Sequence, residues 1–243
     1  MISSRSSVVA AGVLAGLLAA CSGAPAGAPA ATPSVSEAVA TATPTRTPTG
    51  LAAMPVEDAL DAVATAFARS EGVSVKGTVT VKKERVKVDV HLVRGRGGRG
   101  QVSPPDSTMQ VIVIGSDVYL TGDKRFLTKA VGARNVAAFR GKYVTGSTGT
   151  PLMAEMAAHF NLLDYASLLP TTGMLPGPAG TAGSTPTVTY TGTSGSVLVV
   201  ADRKDAPVPL RYKGPSTQGP VDLSFGYEQP VTLKAPPKSK LAG

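Results

Sequence analysis

The stretch VSVKGTVTV, residues 73–81, places Val73, Val75, Val79 and Val81 on one side of an extended chain and Ser74, Lys76, Thr78 and Thr80 on the other. A period of two in a run rich in β-branched residues is the pattern of a strand with one buried and one wet face. The next run, VKVDVHLV at 86–93, repeats it, with Val86, Val88, Val90 and Leu92 set against Lys87, Asp89 and His91. The charged KKER between the two runs reads as the turn of an antiparallel hairpin. Further strands are expected at 109–114, 118–121, 187–190, 197–201, 210–212 and 221–227.

On either side of these strands the period changes. In PVEDALDAVATAFARSEG, residues 55–72, Val56, Leu60, Val63 and Phe67 recur at helical spacing, with Glu57 and Asp58 near the positive end of the helix dipole and Arg69 near the other. Gly72 ends the pattern. The second helical region, PLMAEMAAHFNLLDYASLL at 151–169, carries Leu152, Met153, Met156, Phe160, Leu163 and Leu168 in a broad apolar stripe. Helix, meandering strands, helices and again strands predict an α+β fold. Its core is one curved antiparallel sheet, a half-barrel, with the helices packed on its concave face.

Outside this region the composition changes. Residues 21–53 are dominated by Ala, Pro, Thr, Ser and Gly, and such a chain buries too little apolar surface to repay its ordering, so it reads as a disordered tether. Fully extended at ~3.1 Å per residue, it reaches on the order of 90 Å. The folded domain is expected over 54–235, and APPKSKLAG at the end reads as a flexible tail over 236–243.

Residues 1–20 begin with a polar segment containing Arg5 and continue into an uncharged apolar run, the form of an export signal too short for a comfortable membrane span. The signal ends in GLLAACSG, residues 16–23, which contains the chain's one cysteine. Leu18-Ala19-Ala20-Cys21 resembles the lipobox of bacterial lipoprotein precursors. In that family the cysteine thiol receives a diacylglyceryl group and becomes the first residue of the mature protein. The resemblance implies acylation at Cys21 and a place on the outer face of the cell membrane, since stable anchoring takes two acyl chains. A single cysteine forms no internal disulfide.

The layout of signal, tether and domain resembles the LppX/LprAFG lipoproteins of the LolA/LolB-like superfamily. Locally, MQVIVIGSDVYLTGDKRFLTKAVG at 109–132 and AAFRGKYVTG at 137–146 resemble strand segments of that group. The resemblance implies a curved sheet closed by helices, with acyl chains of a lipid or glycolipid held between the layers for carriage or presentation. Leu60, Val63, Phe67, Met153, Met156, Phe160 and Leu163 are the lining residues it suggests, the methionines being adaptable to variable apolar shapes. The same stripe also serves a filled core. A filled-core adaptor that binds an envelope protein or an anionic wall polymer through its surface is therefore the alternative. Two segments depart from the group: RGRGGRG at 94–100, read as a basic loop, and LPGPAGTAGSTP at 175–186, read as a long flexible insertion. Movement that opens a ligand mouth is expected in 152–183.

Other chemistries find little support. His91 and His159 are the only histidines, and Glu155 with His159 gives a helical pair that lacks the further ligands a zinc site needs. No metal or other cofactor is expected. The chain has no Gly-x-Ser-x-Gly elbow and no Trp, its carboxylates are scattered, and no enzyme is expected. The net charge of +8 concentrates at 82–87 and 94–99. Export and the lack of interleaved aromatics argue against a nucleic-acid partner. The basic residues are read as a solvated surface or as an attraction for anionic headgroups and polymers. A monomer is expected.

Overall fold

The first helix, α1 (Val56–Arg69), buries Ala59, Leu60, Val63 and Phe67, the i, i+3, i+4 stripe of its sequence. It feeds directly into the hairpin of β1 (Gly72–Val81) and β2 (Glu84–Val93), paired antiparallel from Gly72 opposite Val93 to Val81 opposite Glu84. The two turn residues, Lys82 and Lys83, have φ of 50° and 71°. Positive φ at both central positions matches the right-handed twist of the strands. The computed structural model describes residues 50–203, 206–217, 219–227 and 231–242. The signal, Cys21 and the tether up to residue 49 lie outside the described residues.

After the hairpin come β3 (Gly97–Ser103), β4 (Met109–Ile114) and β5 (Asp117–Gly122), then α2 (Lys124–Val131), α3 (Val136–Phe139) and β6 (Val144–Ser147). The chain continues through α4 (Pro151–Ala158) and α5 (Leu162–Ala166) into β7 (Met174–Ala182), β8 (Thr185–Gly192), β9 (Val197–Ala201), β10 (Val208–Ser216) and β11 (Gly219–Gly226). These eleven strands join one antiparallel sheet in the order β6-β5-β4-β3-β2-β1-β11-β10-β9-β8-β7. Its edge strands β6 and β7 do not pair, so the sheet is an open, curved one and the fold is α+β, as expected. Twist accumulated over this many strands forces the curl.

Register fixes which side chains face the helices. One inward row runs Met109, Val102, Val88, Gly77, Leu223, Tyr212, Leu198 and Tyr190 across β4 to β8. Its side chains are buried, and the outer face carries the polar partners, among them the ion pairs Lys76–Asp89 at 3.3 Å and Arg211–Asp222 at 3.1 Å.

Several expectations are corrected. RGRGGRG is a tight turn followed by β3. Gly98 and Gly100 face inward opposite Leu92 and Val90, whereas Arg99 is exposed. Glycine is needed at 98 because a Cβ there would lie 2.5 Å from the His91 carbonyl oxygen, with Leu92 and the ring of Phe160 each 3.1 Å away. LPGPAGTAGSTP is the β7–β8 hairpin; Pro176 and Pro178 are tolerated because β7 is an edge strand, and its register shifts between Pro176 and Ala179. The second helical region divides into α4 and α5. Asn161 accepts a hydrogen bond from the Leu163 N–H at the start of α5, 3.2 Å. Helix α2, read as part of the strand region, begins at Asp123, whose carboxylate accepts from the N–H groups of Phe126 at 2.8 Å and Thr108 at 2.7 Å.

Both ends of the domain also differ. Gly50–Ala53, assigned to the tether, forms a 3-10 turn with Leu51 buried, and the Leu51 N–H donates to Asp202 at 2.9 Å. The expected tail contains a second 3-10 turn, Lys238–Lys240, and Leu241 bridges to Tyr143. The Tyr143 N–H donates to the Lys240 carbonyl at 2.7 Å. The described residues all fall in one compact unit.

Candidate functional site

The inward face of the sheet is apolar by alternation, and α1, α4 and α5 supply the side chains laid on it. The ring of Phe67 meets Phe225 edge-on with centroids 5.1 Å apart and Tyr227 at 6.5 Å. Phe160, at the end of α4, occupies the space over Gly98, and Met153 lies against Gly146 of β6. These contacts join helices and sheet into one buried cluster.

At one end of this layer, where β1 finishes and the β10–β11 turn begins, the sheet and helices part. A cleft of about 260 Å³ opens there. Its apolar walls are Val79 and Val81 of β1, Val221 of β11, and Tyr165 and Leu168 from the α5 region. Around it stand Thr80, His159, Asp164, Ser167 and Ser216. The Tyr165 hydroxyl donates to the His159 carbonyl at 3.2 Å, which ties α5 to the end of α4.

Electrostatics around the cleft follow from burial. Desolvation pulls the His159 imidazole below its ordinary pKa, against the opposing pull of Glu155 and Asp164. The side chain is therefore held neutral. Burial drives the Tyr165 phenol far above its usual range, with Asp164 acting in the same direction. Across the outside, Lys82 at the hairpin tip donates to Glu155 of α4 at 2.7 Å, and that hydrogen bond raises the lysine pKa. This pair links the β1–β2 turn to the helix that flanks the cleft.

The residues expected to line a cavity are distributed differently. Leu60, Val63 and Phe67 are buried on α1, and Met153 and Phe160 are buried on the α4 side. Met156 is half-buried against the cluster. Leu163 faces outward and is 59% exposed, because the cap at Asn161 begins a new helix and turns this position away from the sheet. None of these residues borders the cleft. The residues that do were missed as a site, although the alternation that exposes Val79 and Val81 to the helix layer is plain in the sequence.

Of the histidines, His91 lies on β2 opposite Arg99 and Ser74, in the outer row. Among the described residues no group of three or more His, Cys, Asp or Glu is arranged to hold a metal ion. No helix among them is long and apolar enough to cross a membrane.

No protein-family model matches the chain, and no curated protein sequence does. Several solved structures are similar to it, two of which follow. The crystal structure of LprF from Mycobacterium bovis has a TM-score of 0.47 at 16% identity, covering 74% of this chain and 96% of that one. An uncharacterized conserved protein from Thermus thermophilus has a TM-score of 0.32 at 17% identity, covering 75% of this chain and 94% of its own.

Proposed function

We propose that the chain is a cell-envelope lipoprotein, held at the outer face of the membrane through acylated Cys21. Its folded unit takes up acyl chains of a lipid or glycolipid between sheet and helices. The observation that carries this reading is the cleft, an opening at the seam between the two layers that combines the apolar walls of Val79, Val81, Val221 and Leu168 with a polar rim. Val79 lies two residues along β1 from Gly77, an inward position without a side chain, and Gly98 and Gly100 leave two more such positions on β3. A chain entering at the cleft meets the walls of Val79, Val81, Val221 and Leu168, and to reach Gly98 it must displace the Phe160 ring that covers that position.

The role is non-catalytic, and burial of apolar surface at about 25 cal/mol per Å² drives it. At about 260 Å³ the cleft is smaller than the ~300–1,000 Å³ of ordinary small-molecule sites, so uptake requires α4 and α5 to move off the sheet. The Lys82–Glu155 pair is the contact between α4 and the sheet that such movement breaks, while the Tyr165–His159 hydrogen bond keeps α4 and α5 moving together. Both lie at the cleft rather than in the α1 layer.

Native mass spectrometry of the protein, followed by lipid extraction, tests the reading. Stoichiometric lipid in the wild type and its loss in Leu168→Trp, which fills the mouth, is the expected result. A bare wild-type protein that also refuses added lipid rejects it.

A second reading, the adaptor, draws on a different observation. On the outer face, Arg85 and Lys87 border a depression of about 730 Å³ with Thr78, Gln101 and Ser103, and at its far side stand Asp106, paired with Arg125, and Asp123, which caps α2. Among the described residues neither Arg85 nor Lys87 has an ion-pair partner. That surface suits an anionic polymer, and binding of such a polymer by lipid-free protein, lost in Arg85→Gln/Lys87→Gln, would favour it.

A further inference from the structure

Four tyrosines have their hydroxyls in or near the helix–sheet layer, and three of them have a partner. Tyr165 donates to the His159 carbonyl at 3.2 Å, Tyr212 to the Pro215 carbonyl at 2.9 Å, and Tyr227 to the Pro209 carbonyl at 2.8 Å. Tyr190 is the exception. It is 1% exposed, and its hydroxyl is a fully buried polar atom with no hydrogen-bond partner among the described residues.

Its surroundings explain why the protein offers no partner. Tyr190 lies on β8 in the inward row, with Leu198 of β9 on one side and Pro176 of β7 on the other. Phenylalanine would fill the same space and bury the same ring without the desolvation penalty of an unmet hydroxyl. The hydroxyl is thus a cost in the ligand-free fold.

We infer that the Tyr190 hydroxyl anchors the ligand, donating a hydrogen bond to the carbonyl oxygen of an acyl ester held between sheet and helices. The inference rests on the acyl-binding reading above. It goes further, by assigning an interior polar contact and a ligand class. Among the atoms of a lipid drawn into an apolar layer, the ester carbonyl is the acceptor attached directly to the chain. Burial raises the phenol pKa, so the group stays protonated and donates. The carboxylate of Asp202 pushes in the same direction, and its negative field disfavours a second anion nearby. The anchor therefore selects an esterified chain over the ionised carboxylate of a free fatty acid.

Tyr190 and the cleft are linked by register. Val221 borders the cleft on β11, and Leu223, two residues on, pairs with Tyr212, which pairs with Leu198, which pairs with Tyr190. From β11 to β8 is three strand spacings, about 14 Å. A single acyl chain laid across the strands spans that distance.

The test uses the full chain purified in detergent, wild type and Tyr190→Phe, with three probes of equal chain length: a diacyl ester lipid, its dialkyl ether analogue and the free fatty acid. Wild type is expected to bind the ester about tenfold more tightly than the ether, the worth of one buried hydrogen bond, and the fatty acid more weakly than the ester. Tyr190→Phe should bind ester and ether equally, at the wild-type ether level, and its ligand-free melting temperature should equal or exceed that of wild type. A ligand-free variant that melts several degrees lower overturns the inference, because the hydroxyl would then have a partner in the protein. So does an ester preference that survives the substitution. Equal ester and ether binding by wild type overturns the anchor and leaves the acyl-binding reading standing; no binding of any probe by wild type rejects both.

Discussion

Phe160 and Leu163 stand three residues apart in the same apolar stripe, and the fold treats them oppositely. Phe160 is 2% exposed and Leu163 is 59% exposed. Replacing each with alanine measures whether the helix layer is packed on the sheet as described. Phe160→Ala removes a ring whose Cδ1 lies 3.1 Å from where a Cβ at Gly98 would stand, and Gly98 itself offers no side chain to fill the gap. A buried Phe→Ala change costs about 3–5 kcal/mol in transfer and cavity terms. For a domain of this size each kcal/mol moves the melting temperature by about 2–4 °C, so the expected fall is roughly 6–20 °C. Leu163→Ala, at an exposed position, should stay within about 0.5 kcal/mol of wild type. Urea denaturation followed by circular dichroism reads both, with an unchanged m-value as the sign that the unfolded state is unaffected. A loss below about 1 kcal/mol for Phe160→Ala would mean that the layer collapses around the gap and that α4 is not seated on β3. Losses of equal size at the two positions would refute the placement of α5.

Two further outcomes follow from the charges. His159 has a folded pKa below its unfolded value of about 6.5, so the unfolded chain binds more protons and stability falls as pH drops below that value, levelling once the folded pKa is passed; His159→Gln should flatten this part of the urea-midpoint profile between pH 7 and pH 5, and an unchanged slope would show that the imidazole is not held neutral. Asp123 has its carboxyl pKa lowered, chiefly by the Phe126 N–H, so its contribution is present above the ordinary carboxylate pKa and is lost as pH falls through the lowered one; Asp123→Ala should cost about 1 kcal/mol at pH 7, with Asp123→Asn close to wild type, and equal losses in both would deny the cap.

The hairpin and the first helix were legible because their periods are clean. Val73 to Leu92 alternates over two strands, and Leu60, Val63 and Phe67 repeat at helical spacing. What was hidden depends on a partner elsewhere in the chain. Glycines at 95, 97, 98 and 100 signal a loop locally, yet Gly98 belongs to a strand, paired with Leu92 and Val113, and the close His91 carbonyl and the ring of Phe160, sixty-two residues on, leave room there for glycine alone. Prolines at 176 and 178 argue against a strand until the sheet order shows that β7 has only one neighbour. Helix α2 is short and carries three basic residues, and its sequence signal was the cap, Asp123 three residues before Phe126.

The site was less legible for a reason of position along β1. Val75 and Val79 belong to the same inward alternation and differ by about 13 Å along the strand. Val75 pairs with Phe225, which Phe67 of α1 meets edge-on, so this stretch of the concave face is filled by aromatic rings. Val79 and Val81 instead face Leu168 and Tyr165 across the cleft. Helix α5 and the residues just after it supply those opposing side chains; the Tyr165 hydroxyl ties α5 to the end of α4, and α4 is tied to the hairpin through Glu155 and Lys82. An exposed ion pair of this kind contributes little to stability. The filled end of the layer thus fixes the fold, while the end that parts on the proposed acyl-binding reading is closed by the weaker contacts. An apolar guest that buries more surface than those contacts hold together has its entry there, and the buried hydroxyl of Tyr190 lies farther along the same layer.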